Sequence, residues 1–376
     1  MKYYRDTWVE VDLDAIAHNV RCAKGKHPNK RLIAVVKANG YGHGEVEVGK
    51  AALAAGAEML AVSSFDEALY LREYDVTAET LILGVTSIEH VILASEKNIA
   101  ITVHDLKYIE EMLALPLEKP ITVHLKIDSG MNRIGVVNKE EALTCFNLLA
   151  DHPLVVLEGV FTHMATADED LDYMNEQVAR FKDVVANFDL SKVNYLHIEN
   201  SATLMQFDFA FTGAIRLGIA MYGVHPGDDF FELDMELKPT LALYSTLAQV
   251  KQIKKGAKVG YGATYEAQAD EWLGTLPIGY ADGWIRVHQG RHVVVDGMEC
   301  EIVGRICMDQ MMIRLPKEVP AGTRVTLIGE GMPVERVSEE VGTICYETFC
   351  LISDRIPRIY KEGGQVVGIS RLRFQS

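Results

Sequence analysis

A lysine closes a run of five apolar residues, Leu32-Ile33-Ala34-Val35-Val36, and opens into Ala38-Asn39-Gly40-Tyr41-Gly42-His43-Gly44. The tail of a strand buried on both faces is a poor place for an ammonium group, because burial disfavours the charged form and lowers the amine pKa. A neutral amine is a nucleophile that forms a Schiff base with an aldehyde. The loop after Lys37 offers backbone N–H groups, three glycines and the hydroxyl of Tyr41, a set suited to a phosphate. Amine and phosphate cradle together fit a phosphorylated aldehyde such as pyridoxal phosphate. Lys37 alone reads better as a lysine snorkelling from a strand end. The rest of the chain decides between the two.

Other apolar runs also end in polar groups. Lys126, Asp128 and Arg133 follow one run, Thr162 and His163 a second, and His197, Asn200 and Ser201 a third. Arg216 sits within a fourth, just before Gly218 and Ile219. Ser201, Gly218 and Ile219 offer a hydroxyl, close backbone approach and N–H donors for a phosphate. An arginine inside a strand needs an acceptor, either a ligand ring nitrogen or a neighbouring carboxylate.

These residues recur at regular intervals because the elements carrying them do. Strand-like runs fall at 32–37, 59–63, 79–84, 99–103, 121–127, 155–162, 194–199 and 213–219. Helix-like stretches lie between them, such as Asp66–Tyr74, Asp105–Leu115, Glu140–Ala150 and Asp170–Asn187. Ser64-Phe65-Asp66-Glu67 has the form of a capping box. Eight strand–helix units predict an α/β fold, a (β/α)8 TIM barrel, whose chemistry sits at the C-terminal ends of the strands. No G-x-G-x-x-G turn points instead to a dinucleotide fold. After about residue 235 helical periodicity fades. Short β-branched runs at 239–253, 258–260, 272–279, 291–304, 310–315 and 324–328 predict a mostly antiparallel β domain. The expected organisation is a barrel over 8–232 and a β domain over 233–376 together with 1–7.

The chain has 376 residues, 48% of them hydrophobic and 24% charged, with 37 basic against 53 acidic side chains and a net charge of −16. That balance argues against nucleic acid and anionic membranes as partners, and leaves room for a small anion in a local cationic pocket. There is no secretory leader pattern and no run of 18 apolar residues. Six cysteines, at 22, 145, 300, 307, 345 and 350, form no Cys-x-x-Cys. They read as reduced cytoplasmic thiols, and no metal site is expected.

The ordered motifs resemble those of bacterial alanine racemase, essentially from end to end. They are the lysine motif 34–44, His-Leu-Lys-Ile-Asp-Ser-Gly-Met-Asn-Arg-Ile-Gly (124–135), Glu-Gly-Val-Phe-Thr-His (158–163), His-Ile-Glu-Asn-Ser-Ala (197–202) and Ile-Arg-Leu-Gly-Ile-Ala-Met-Tyr-Gly (215–223). The β domain adds Tyr-Gly-Ala-Thr-Tyr (261–265), Pro-Ile-Gly-Tyr-Ala-Asp-Gly (277–283) and Gly-Arg-Ile-Cys-Met-Asp-Gln (304–310).

The resemblance implies a cytoplasmic pyridoxal-phosphate isomerase that makes D-alanine for peptidoglycan as a homodimer with shared sites. By position, Lys37 would bear the cofactor, and Tyr41, Ser201, Gly218, Ile219 and Tyr346 would hold its phosphate. Asn200 and His163 would line the cofactor site, and Arg216 would face the pyridine nitrogen. Arg133 and the Met308 backbone N–H would bind the substrate carboxylate. Tyr261 of the partner subunit would be the second base, oriented by His163 in concert with Arg216. Tyr280 would guard the entrance, and Lys126 would correspond to a lysine often carbamylated in the family. Gly40, Asn132 and Cys345 stand where Ala, Gly and Asn are usual. Only Cys345, beside Tyr346, bears on substrate choice.

Racemisation removes a proton from one face of a planar carbon and returns it to the other, so one base per face is the simplest arrangement. An arginine opposite the ring nitrogen does not hand over its proton, which weakens the ring as an electron sink and discourages transamination. The competing readings are a serine or broad-specificity racemase on the same scaffold and a non-catalytic pyridoxal-phosphate-binding protein. A decarboxylase of related fold would need an acid where Arg216 stands.

Overall fold

The computed structural model describes residues 4–227 and 235–370. It forms two compact units: one holds Ala15–Gly40 and Glu45–Lys238, the other the residues up to Asp14, Tyr41–Gly44 and those from Pro239 onward. The domain boundary expected at 232/233 lies outside the described residues.

In the first unit eight strands form one sheet: Arg31–Val35, Met59–Val62, Thr80–Val85, Ala100–Val103, Ile121–Lys126, Val155–Phe161, Tyr195–His197 and Ala214–Leu217. We call these the first to eighth barrel strands. Neighbours pair in parallel, and the first pairs with the eighth. Gly213 N–H donates to Leu196 O at 2.9 Å, closing the ring between the seventh and eighth strands. The short apolar runs are strands because both faces are covered: the second, fourth, seventh and eighth are buried at every residue.

Helices between the strands begin where short polar side chains cap them. Ser64 and Glu67 form the reciprocal capping box at the start of Phe65–Glu73. Asp105, Asn138 and Asp170 accept the amides of Tyr108, Glu141 and Tyr173 at the starts of Leu106–Leu113, Lys139–Asp151 and Leu171–Val185. The expected helical stretches are thus present to within a few residues.

The second unit is built on a seven-stranded sheet and a three-stranded antiparallel sheet of Gln249–Ile253, Glu271–Leu276 and Met311–Leu315. Most pairs in the larger sheet are antiparallel, as the turn-rich β pattern predicts. The exception joins the chain's two ends: Thr7–Asp12 pairs in parallel with Arg358–Glu362. Helical periodicity does not vanish here as expected. Val334–Val341 and Cys345–Leu351 are helices, each too short to dominate a window of sequence. Among the described residues no helix is long and apolar enough to cross a membrane.

Candidate active site

The first barrel strand stops at Val35, two residues before Lys37. Lys37 is half-buried rather than buried as the apolar run predicts. The reason is an unusual backbone: Ala38, Asn39, Gly40 and Tyr41 take φ values of 53°, 54°, 57° and 50°. For a non-glycine residue this left-handed conformation costs roughly 1–2 kcal/mol. Two hydrogen bonds hold the turn within the barrel unit. Gly40 N–H reaches back to Val36 O at 2.9 Å, and Ala38 N–H donates to Glu67 Oε1 at 2.7 Å. The other oxygen of Glu67 accepts from Ser63 N–H at 2.6 Å and Ser64 N–H at 3.3 Å. One carboxylate therefore caps a helix and pins the lysine turn.

The remaining strand ends bring a cluster of cations together. Lys126 is buried, donates to Ile127 O at 3.0 Å and lies 5.2 Å over the Phe161 ring. Burial, then the charge of Arg216, lowers its amine to about 7, and Asp128 only partly opposes them. Arg216 is buried inside the eighth strand. It donates to the carbonyls of Thr162, His197 and Ile198 at 2.9, 3.0 and 3.1 Å, and to Nδ1 of His197 and His163 at 2.8 and 3.3 Å. Among the described residues no carboxylate hydrogen-bonds it. Burial lowers the guanidinium to about 10, with Glu199 pulling the other way. Glu199 itself is engaged by Lys30 at 2.7 Å and by Thr212.

Both imidazoles that accept from Arg216 stay neutral. Burial and then Arg216 hold His197 and His163 well below the ordinary imidazole range, and Lys126, Arg133 and Lys37 add to the effect on His163. Arg133 is exposed, and among the described residues its guanidinium makes no hydrogen bond or ion pair. Its loop is fixed by Asp128, which accepts the backbone N–H groups of Gly130, Asn132 and Arg133 at 2.9, 3.0 and 3.0 Å. Burial pushes Asp128 up, but these bonds outweigh it and leave the carboxyl below its usual value. Asn132 has φ 56°, which asparagine tolerates, so its presence in place of glycine is unremarkable in shape.

Ser201 Oγ accepts Gly218 N–H at 2.9 Å and Ala220 N–H at 3.4 Å, so the seventh and eighth strand ends meet at one hydroxyl, with Ile219 buried beside it. Asn200 caps the helix Ser201–Gln206: its Oδ1 accepts from Thr203 N–H at 3.0 Å and Thr203 Oγ1 at 2.8 Å, and its Nδ2 donates to Met164 O at 3.3 Å.

The second unit groups the other expected residues. The rings of Tyr41 and Tyr346 lie 6.0 Å apart. Burial, then Tyr346, raises the Tyr41 phenol above its ordinary value. Tyr261 is 71% exposed on a turn between Gly260 and Gly262, both at positive φ, and rims a groove of about 600 Å³ shared with Cys307 and Gln310. Met308 and Tyr280 are also exposed. Among the described residues no group of His, Cys, Asp and Glu is placed to hold a metal.

Sequence reasoning missed the second duty of Glu67 and the burial of His124 behind His197. The capping-box spacing flagged Glu67, but nothing local marks its bond to Ala38, which is 29 residues away. His124 lay in plain view within its motif but is not at a strand end.

Comparison with known proteins shows that two family models match. Alanine racemase, N-terminal domain, matches residues 11–226, and alanine racemase, C-terminal domain, matches residues 240–360. An alanine racemase of Halalkalibacterium halodurans is 47% identical, over 98% of this chain and 98% of the relative. The crystal structure of alanine racemase from Bacillus anthracis with bound L-Ala-P superposes with a TM-score of 0.94 at 42% identity, over 98% of each chain. A histidine racemase from Leuconostoc mesenteroides superposes at 0.89 with 29% identity, over 96% of this chain and 99% of that one.

Two outcomes are expected. Glu67→Gln places an amide against amide donors, and should cost about 1.5–3 kcal/mol in denaturant unfolding and speed hydrogen exchange at Ala38 selectively. Second, the folded chain resists protonating His163 and His197, whereas the unfolded chain takes up those protons near pH 6.5. Stability from these groups is therefore complete above that pH and is lost as pH falls below it, by up to about 1.4 kcal/mol per pH unit for each proton. His163→Gln should make the decline between pH 7 and 5 shallower in urea titrations.

Proposed function

The chain belongs to the alanine racemase family, and from that premise we infer that it interconverts L- and D-alanine, with pyridoxal phosphate as cofactor. The observation that carries the reading is the barrel mouth: Lys37, Lys126, Arg133 and Arg216 surround a neutral imidazole, with Arg216 hydrogen-bonded to no carboxylate among the described residues. Such a cluster needs anions, and a phosphate and a substrate carboxylate would supply them. A guanidinium hydrogen-bonded only to carbonyls and imidazoles among the described residues supports a ring-nitrogen acceptor. The Ser201 hydroxyl, with the amides of Gly218 and Ala220 gathered on it, supports a phosphate site.

Pyridoxal phosphate, when bound, supplies an aldehyde for amines and a conjugated ring that acidifies the hydrogen on the amino-acid Cα. Lys37 would carry it and serve as the base on one face. Ser201, Gly218, Ile219, Tyr41 and Tyr346 would hold the phosphate, with Asn200 fixing the helix start that presents Ser201. Arg133, on its Asp128-anchored loop, and the Met308 N–H would hold the substrate carboxylate. Arg216 keeps its proton and would leave the ring nitrogen unprotonated, which favours return of the α-proton over transamination. His163 accepts from Arg216 through Nδ1, so its proton sits on Nε2 and is available to orient a phenol.

That phenol would be Tyr261 of a second copy of the chain. Its exposure, and that of Met308 and Tyr280, supports a homodimer in which each mouth is completed by its partner. Tyr280 would flank the way in. The neutral tendency of Lys126 leaves an amine able to attack CO2, which supports a carbamate there. Alanine is the substrate the family implies. A histidine racemase shares this fold, so the fold alone does not set side-chain preference, and Cys345 beside Tyr346 is the residue to examine. The reduced cysteines support a cytoplasmic location.

The purified protein should be yellow and should racemise alanine. Borohydride should fix the cofactor to the peptide that contains Lys37, and Lys37→Ala should lose both colour and nearly all activity. A label on another lysine would overturn the assignment.

A further inference from the structure

Below Arg216 a line of buried groups runs down the barrel core. Arg216 donates to His197 Nδ1 at 2.8 Å, His197 Nε2 lies 3.0 Å from His124 Nδ1, and His124 Nε2 lies 3.4 Å from Glu158 Oε2. All four residues are buried, the two histidines completely. A guanidinium only donates, so His197 Nδ1 must accept and its proton sits on Nε2. His124 Nδ1 must then accept, and its proton also sits on Nε2, aimed at Glu158. The direction of every bond is set by the arginine at one end and the carboxylate at the other.

The surrounding chain is shaped for this line. The fifth and sixth strands pair Val123 with Leu157 but His124 with Gly159, so Glu158 is the extra residue of a bulge. Bulges re-aim side chains, and this one sets Glu158 and Gly159 both opposite His124. A Cβ on Gly159 would lie 2.5 Å from His124 Nδ1, the acceptor in the line. The Phe161 ring stacks on His197 at 4.7 Å and 3°. Burial lowers the His124 imidazole, with Glu158 opposing, and burial raises the Glu158 carboxyl less than His124 and Arg31 lower it. The line is therefore a cation and an anion joined by two neutral rings.

Resting on the racemase reading, we propose that Glu158, His124 and His197 are positioning residues for Arg216: a one-way hydrogen-bond line from the barrel core that fixes the guanidinium against the ring nitrogen. Glutamine at 158 can turn its amide to donate to His124. That reverses the line and points an N–H of His197 at Arg216. A methyl on Gly159 displaces His124 without touching Arg216. In either case Arg216 loses its fixed seat, and the ring nitrogen gains protonation, which favours transamination.

Two measurements test this. In 15N-histidine-labelled wild-type protein, long-range 1H–15N correlations should show His197 and His124 as neutral Nε2–H tautomers between pH 6 and 8. In the loaded enzyme, Glu158→Gln and Gly159→Ala should each lower kcat for alanine roughly ten-fold, the scale of one misplaced charged hydrogen bond, with KM little changed. Both should raise pyridoxamine phosphate formed per racemisation several-fold, a partition that a general loss of stability would not move. A proton on Nδ1 of His197, or an unchanged partition in both folded variants, would overturn the proposal. The tautomers decide the matter if neither variant folds. If wild type racemises nothing, the functional reading fails while the tautomers still report on the line.

Discussion

A guanidinium buried in a barrel and, among the described residues, hydrogen-bonded to no carboxylate is the constraint around which the mouth is arranged. Leaving such a charge uncompensated costs several kcal/mol. Arg216 is instead met by three carbonyls and two imidazoles. Those acceptors must remain neutral, and the same burial and positive charge that surround them keep them so. Neutral His197 can pass its own N–H deeper, to His124 and Glu158. The bulge at Glu158 and the missing side chain at Gly159 follow from the need to seat that second ring. Cationic excess at the mouth and neutral histidines beneath it are one arrangement seen from two sides.

The same mouth carries Lys37, the proposed nucleophile, on a strained turn. Residues after Lys37 take a left-handed path that only glycine adopts freely. Such conformations persist where surrounding structure over-determines them and cluster at functional sites. Here the over-determination is the Glu67 carboxylate, which also starts the next helix. A helix cap and a lysine's aim thereby become one interaction.

Much of this was legible in the sequence, for reasons that particular residues make plain. The barrel was readable because doubly buried parallel strands are continuous apolar runs, and Ser64, Asp105, Asn138 and Asp170 mark where helices begin. The mouth was readable because Lys37, Lys126, His163 and His197 end or closely follow such runs and Arg216 interrupts one. What depends on pairing across the sheet was not. The extra residue at Glu158 exists only relative to His124 on the neighbouring strand. The pairing of Thr7–Asp12 with Arg358–Glu362 joins segments some 350 residues apart. The half-buried state of Lys37 follows from a left-handed turn that Asn39-Gly40 suits but that the alanine at 38 does not announce.

In the proposed reading the barrel would supply one amine base and a set of anion-binding groups, while Tyr261 is 71% exposed on the other unit. The proposed enzyme is therefore a two-base racemase whose second base comes from another copy. Mixing Lys37→Ala chains with Tyr261→Phe chains, each inactive alone, tests it most directly. After subunit exchange about half the dimers are mixed and one site of two in each is intact, so activity should return to roughly a quarter of wild type. No return of activity, with exchange verified by mass spectrometry of the dimers, would mean that Tyr261 acts within its own chain or is not the second base.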